Sequence, residues 1–154
     1  MENRSLEVET KQYIVTKLGT EQYGIDISYV DNIVRMTRIT RVPKSQPYFK
    51  GIINLRGEVI PVMSLRLKFG LSDDEVTNAT RIIIIKLEDL DGSIGLLVDE
   101  VKEVVTLSDD SIEKPSGSNT EKAKYLIGVG RTHDTLISLL NMQNVIIEKE
   151  KEPA

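Results

Sequence analysis

The chain repeats itself. Tyr13-Ile14-Val15-Thr16-Lys17-Leu18 returns as Ile82-Ile83-Ile84-Ile85-Lys86-Leu87 at an offset of 69 residues. Tyr23-Gly24-Ile25, followed by Val30 and Ile33-Val34, returns as Ile94-Gly95-Leu96, followed by Val101 and Val104-Val105, at an offset of 71. Tyr48-Phe49-Lys50-Gly51 and Val59-Ile60-Pro61-Val62 return as Tyr125-Leu126-Ile127-Gly128 and Leu136-Ile137-Ser138-Leu139, both at 77. The offset grows only across loops, where insertions are tolerated. Ser28 falls on Asp99, so both copies place a helix-capping residue type at one point. Self-similarity in this order implies two units of roughly 65–70 residues, each made of short strands. Small β units close into barrels to remove exposed edges. Units of this size are marginal alone and gain by packing on each other. The expectation is an all-β chain of two small barrels joined at an apolar seam, with a discontinuous or adjacent boundary near residues 66–80. Residues 1–11 and 148–154 read as charged tails. A seam between barrels is also where binding sites tend to lie.

Within the first copy, Lys50 to Val62 reads as apolar strand, polar turn, apolar strand, with Gly57 free to take positive φ. Pro61 cannot donate to a ladder, which predicts an edge strand or a bulge. Tyr13–Leu18 and Gln22–Ile27 read as strands. Ser28 caps a short helix in this reading, with Ile27, Val30, Ile33 and Val34 on one face. Val34–Val42 reads as strand again, Leu65–Gly70 as a brief helix stopped by Gly70, and 141–147 as a short closing helix.

The 154 residues contain no cysteine, which excludes a disulfide framework, a thiolate metal site and a thiol nucleophile. The first twelve residues lack a signal-peptide core, and no apolar run approaches the roughly 20 residues of a membrane span. The net charge of −4 is uneven. Residues 1–77 carry 11 basic and 10 acidic residues, and residues 78–154 carry 9 and 14. No acid occurs between Asp31 and Glu58, a window that holds Arg35, Arg38, Arg41, Lys44, Lys50 and Arg56. Such a face steers acidic partners.

Reactive constellations are missing from the sequence. His133 is the single histidine, and its position matches the Asn54–Gly57 turn of the first copy, so it reads as a solvated hairpin tip. Asp73-Asp74-Glu75 and Asp109-Asp110 lack the ligand spacing of a calcium loop. Gly128-Val129-Gly130 is half of a dinucleotide fingerprint with no long helix after it. Tyr48-Phe49 inside the basic window leaves a barrel-type nucleic-acid binder as an alternative. Apolar strands, a few arginines and a groove are otherwise the materials of a protein interface. No enzyme, cofactor or metal is expected.

Glu21-Gln22-Tyr23-Gly24-Ile25-Asp26-Ile27, Arg41-Val42-Pro43, Phe49-Lys50-Gly51-Ile52-Ile53-Asn54-Leu55-Arg56-Gly57, Ile60-Pro61-Val62 and Leu65-Arg66 resemble the CheW-type chemotaxis coupling proteins. Gly95-Leu96-Leu97-Val98-Asp99 and Leu126-Ile127-Gly128-Val129-Gly130 continue the resemblance, which spans about residues 12–147. It implies two Src-homology-3-like five-stranded barrels. It also implies a cytoplasmic, non-catalytic adaptor that joins the histidine kinase CheA to the tips of membrane-bound chemoreceptors. The kinase's regulatory domain would pair with it barrel to barrel and form rings. A coupling part of a CheV-type protein is the nearest alternative. The implied kinase contacts are Ile33, Val34, Met36, Ile39 and Val42. The implied receptor contacts are Val30, Asp31, Arg56, Gly57, Val98, Val101 and Val104. The family often has a Glu where Asn32 stands, able to pair with the hairpin Arg.

Overall fold

The computed structural model describes residues 9–114 and 121–147. Of the tails read over 1–11 and 148–154, residues 1–8 and 148–154 lie outside the described residues, while Thr10 and Lys11 are not tail but the start of the first strand, paired with Ser108 and Leu107. Ten strands form two five-stranded sheets. In chain order they are β1 (Thr10–Leu18), β2 (Glu21–Asp26), β3 (Val30–Arg35), β4 (Phe49–Leu55), β5 (Glu58–Ser64), β6 (Arg81–Lys86), β7 (Ser93–Val98), β8 (Glu100–Ser108), β9 (Leu126–Thr132) and β10 (Thr135–Leu140). Helix α1 (Leu65–Lys68) follows β5, and α2 (Met142–Ile146) follows β10.

The sheet orders are β8-β1-β2-β10-β9 and β3-β6-β7-β5-β4. Replacing each strand of one by its repeat equivalent gives the other. The two copies are therefore interlocked: neither closes on itself, and each sheet takes two strands from one copy and three from the other. The pairing register follows the repeat. Gly24 lies opposite Leu139 in the parallel pair β2·β10, and its equivalent Gly95 lies opposite Val62 in β7·β5. A Cβ on Gly24 would stand 2.7 Å from Leu139, and one on Gly95 would stand 2.8 Å from Ile82.

Each sheet is closed into a barrel by one bridge beyond its edge strand. Thr40 exchanges two backbone hydrogen bonds of 2.8 Å with Ile52 on β4. Glu113 does the same with Val129 on β9, at 2.9 and 2.7 Å. These are equivalent positions, and each has a glycine beside it, Gly51 and Gly128. Their missing Cβ atoms would stand 2.1 Å from the Thr40 oxygen and 2.8 Å from the Glu113 oxygen.

Burial follows the pleat. On β6, Ile82 and Ile84 fill one barrel with Ile53, Ile60, Val62 and Leu97. Ile83 and Ile85 point the other way, into a cluster shared by both sheets that includes Tyr23, Ile25, Leu96, Leu140 and Val145. That shared cluster is the apolar seam. A strand buried on both faces reads as an unbroken apolar run, which explains four isoleucines in a row. The second barrel is filled by Tyr13, Val15, Leu107, Ile137 and Leu139.

Five local expectations change. The strand read over Val34–Val42 ends at Arg35, and beyond it only Thr40 makes a bridge, to Ile52. Val30–Arg35 is a strand with alternating exposure, not a helical face; its β-branched residues pair with β6 instead. A single 3₁₀ turn, Ile27–Tyr29, is capped by Asp26, whose carboxylate accepts from the Ser28 N–H at 2.9 Å. Asp99 caps no helix, because β8 starts at the next residue. Pro61 lies on β5, an interior strand. It fits there because the parallel ladder to β7 begins only at Val62, so no bond on that side needs its N–H.

Candidate docking surfaces

The β4–β5 hairpin closes through Arg56 and Gly57, both at positive φ (52° and 83°). That is the geometry of the type I′ turns favoured between twisted strands. Asn54 holds the turn by accepting from the Gly57 N–H at 3.2 Å. Arg56 is exposed and has no ion pair among the described residues. The equivalent tip holds His133 and Asp134, both exposed and again at positive φ. This places the lone histidine where the repeat put it.

The candidate residues separate by the direction they face. On β3, Asp31, Ile33 and Arg35 point outward, with Ile33 38% exposed. Val34, Met36 and Ile39 are half-buried and pack on the barrel interior. Val42 is exposed on the loop after the Thr40 bridge. Val30 and its equivalent Val101 flank the seam and are partly buried against it. Val104, equivalent to Ile33, is 49% exposed on β8. Val98 is fully buried in the seam and offers no side-chain surface. Asp31 pairs with Lys86 at 3.7 Å. The Asn32 oxygen is buried without a partner among the described residues.

Two polar clusters fix the edges of these surfaces, and neither has a local sequence signal. Arg66 on α1 grips Asp99 with two 2.8 Å hydrogen bonds, from Nε and Nη2. The Gly19 N–H donates to the same carboxylate at 2.8 Å. The clamp ties α1, the β1–β2 turn and the start of β8 together. Burial pushes the Asp99 carboxyl up, but the Arg66 and Gly19 donors outweigh it and hold the group below the ordinary value. The second cluster holds the connector after α1. Asp73 pairs with Lys50 at 2.8 Å. Asp74 accepts from the Ser64 hydroxyl at 2.6 Å, while its other oxygen is buried without a partner among the described residues. Burial is the main reason that the Asp74 carboxyl is pushed up.

No group of three metal-ligating side chains occurs among the described residues, and none of their helices is long and apolar enough to cross a membrane. What the surface does offer is a pair of outward apolar strand positions, an arginine-tipped hairpin and a basic loop, all on a rigid double barrel.

The model of the CheW-like domain family matches residues 12–150. The chain belongs to the CheW-like family. The chemotaxis protein CheW of Bacillus subtilis is 34% identical over 146 residues, covering 94% of this chain and 92% of that one. CheW of Helicobacter pylori is 30% identical over 138 residues, covering 90% and 82%. The crystal structure of the scaffolding protein TtCheW from Thermoanaerobacter tengcongensis superposes with a TM-score of 0.80 at 32% identity, over 94% of this chain and 93% of that one. The CheW-like fold thus accounts for both barrels and the seam.

Proposed function

We propose that this chain is a non-catalytic chemotaxis adaptor that couples chemoreceptors to a CheA-type histidine kinase. It acts in the cytoplasm, at receptor arrays reached through its partners. The observation that carries the reading is the CheW-like match over 12–150, together with apolar side chains left outward on equivalent strands of the two barrels. Ile33 and Val42 offer the kinase's regulatory domain an apolar face on one barrel, with Val34, Met36 and Ile39 supporting it from beneath. The receptor tip docks near the seam, against Val30, Val101, Val104 and the Arg56–Gly57 turn, with Asp31 at its margin. Val98 supports that surface from inside. Arg suits such a contact because its planar fork pairs bidentately with carboxylates.

Titrations of the kinase regulatory domain and of a receptor-tip fragment test the two faces separately. Ile33→Asp with Val42→Asp is expected to weaken the first and spare the second. Arg56→Glu is expected to do the reverse. Both partners binding both variants as tightly as wild type would remove the assignment.

A further inference from the structure

The acid-free window is a shaped surface as well as a charged one. Past the Thr40–Ile52 bridge, the loop over 41–47 is held by the Ser45 hydroxyl donating to the Val42 carbonyl at 2.9 Å and the Phe49 N–H donating to the Gln46 carbonyl at 3.0 Å. Pro43 and Pro47 restrict it further. Two adjoining clefts of about 430 and 500 Å³ open along it and share Arg41, Pro47, Phe49 and Lys50. Arg38, Arg41 and Lys44 are exposed around them and have no ion pair or hydrogen bond among the described residues. Met36, Ile39 and Phe49 give the inner cleft an apolar lining. One carboxylate already uses the rim: Asp73 lines the inner cleft and sits on Lys50 at 2.8 Å.

We propose that this cleft receives an acidic segment of a partner protein. Its carboxylates would pair with Arg38, Arg41 and Lys44, and its apolar side chains would lie on Met36 and Phe49. A nucleic acid fits the same charges poorly. The Tyr48 ring is occupied by Lys68 Nζ, 4.1 Å from its centroid, and Phe49 is half-buried, so neither aromatic of this window offers a full open face for base stacking. The net charge of −4, concentrated in the second copy, also repels a long polyanion. The inference deepens the proposed function by naming the chemistry that the kinase-facing barrel selects. It rests on that reading only for who supplies the acids.

The test is fluorescence anisotropy of the full chain with a labelled ten-residue peptide of glutamate and leucine, beside a lysine–leucine peptide and a ten-nucleotide thymidine strand. The acidic peptide alone is expected to bind, and its affinity to fall about tenfold from low to moderate salt as screening sets in. Arg38→Glu, Arg41→Glu and Lys44→Glu together are expected to abolish binding with an unchanged thermal midpoint. Arg38→Gln with Arg41→Gln, the milder variant, is expected to weaken it. Lys11→Glu with Lys102→Glu, at exposed positions elsewhere, is expected to leave it intact. Equal binding by the triple variant and wild type, or preference for the thymidine strand, would overturn the proposal. Because no kinase is present, peptide binding that survives while kinase binding fails would refute the proposed function and support the cleft.

Discussion

Gly51→Ala tests how the barrel that carries Ile33 and Val42 is closed. A Cβ at this position stands 2.1 Å from the Thr40 carbonyl oxygen and 2.8 Å from its carbon. Those are backbone atoms, so they cannot turn aside as a side chain would. Relief requires Thr40 to retreat, which breaks both 2.8 Å hydrogen bonds to Ile52. Two backbone bonds lost contribute about 2 kcal/mol. Placing an L-residue at φ of +140° adds about 1–2 kcal/mol of backbone strain. The total is about 3–4 kcal/mol, which lowers the melting temperature of a chain this size by about 10 °C. Gly57→Ala is the internal reference. Its φ is +83°, but nothing lies within 4 Å of the added Cβ, so only the strain of about 1–2 kcal/mol remains. Gly128→Ala falls between: its φ carries no left-handed strain, the Ile112 side chain at 2.5 Å can move, and the Glu113 backbone oxygen at 2.8 Å lies further off than the Thr40 oxygen does from Gly51, so a smaller retreat of the bridge relieves it. Urea unfolding of the three variants measures the order. Equal losses for Gly51→Ala and Gly57→Ala would refute closure through the Thr40 bridge.

Further outcomes follow from the packing and the two polar clusters. Ile83→Ala, emptying a fully buried position in the seam, is expected to cost about 2–5 kcal/mol in urea unfolding, and Val104→Ala almost nothing. Arg66→Ala is expected to cost about 1–3 kcal/mol, since it leaves the Asp99 carboxylate short of its strongest partner. Asp99 is depressed in the folded chain, so its contribution is present above the ordinary value of 3.8 and disappears as pH falls below it. Asp74 is raised, so the sign reverses: wild-type stability gains from this group as pH falls toward 3.8 from above. Asp74→Asn is expected to raise stability at neutral pH and to remove that gain, as read by unfolding over a pH series. A variant that is less stable at pH 7 would contradict the burial of an ionised Asp74.

Much of this fold is legible in the repeat, because equivalent strands face equivalent neighbours. The aligned glycines Gly24 and Gly95 occupy matching sites against Leu139 and Val62, and the turn pairs Arg56-Gly57 and His133-Asp134 share one backbone geometry. The interlocking is not legible. Periodicity records which face of β1 or β6 is buried, but not whether its neighbour comes from the same copy or the other. Val30–Ile33–Val34 fits a helical spacing as well as a strand, and only pairing with Ile82–Ile85 decides it. The Arg66–Asp99 clamp joins residues 33 apart, and only the closed fold brings them within reach. The outward apolar positions were within reach of sequence reasoning, since Ile33 and Val104 are repeat equivalents. Val98 was not, because an apolar residue of the seam and one of the surface look alike in a β-run.

Calorimetric titration of a CheA-type regulatory domain into the full chain tests most directly the proposal that this double barrel holds a kinase. The account predicts one-to-one binding that Ile33→Asp with Val42→Asp abolishes and Arg56→Glu leaves intact. No heat with the wild-type chain, or equal binding by the Ile33/Val42 variant, would contradict it.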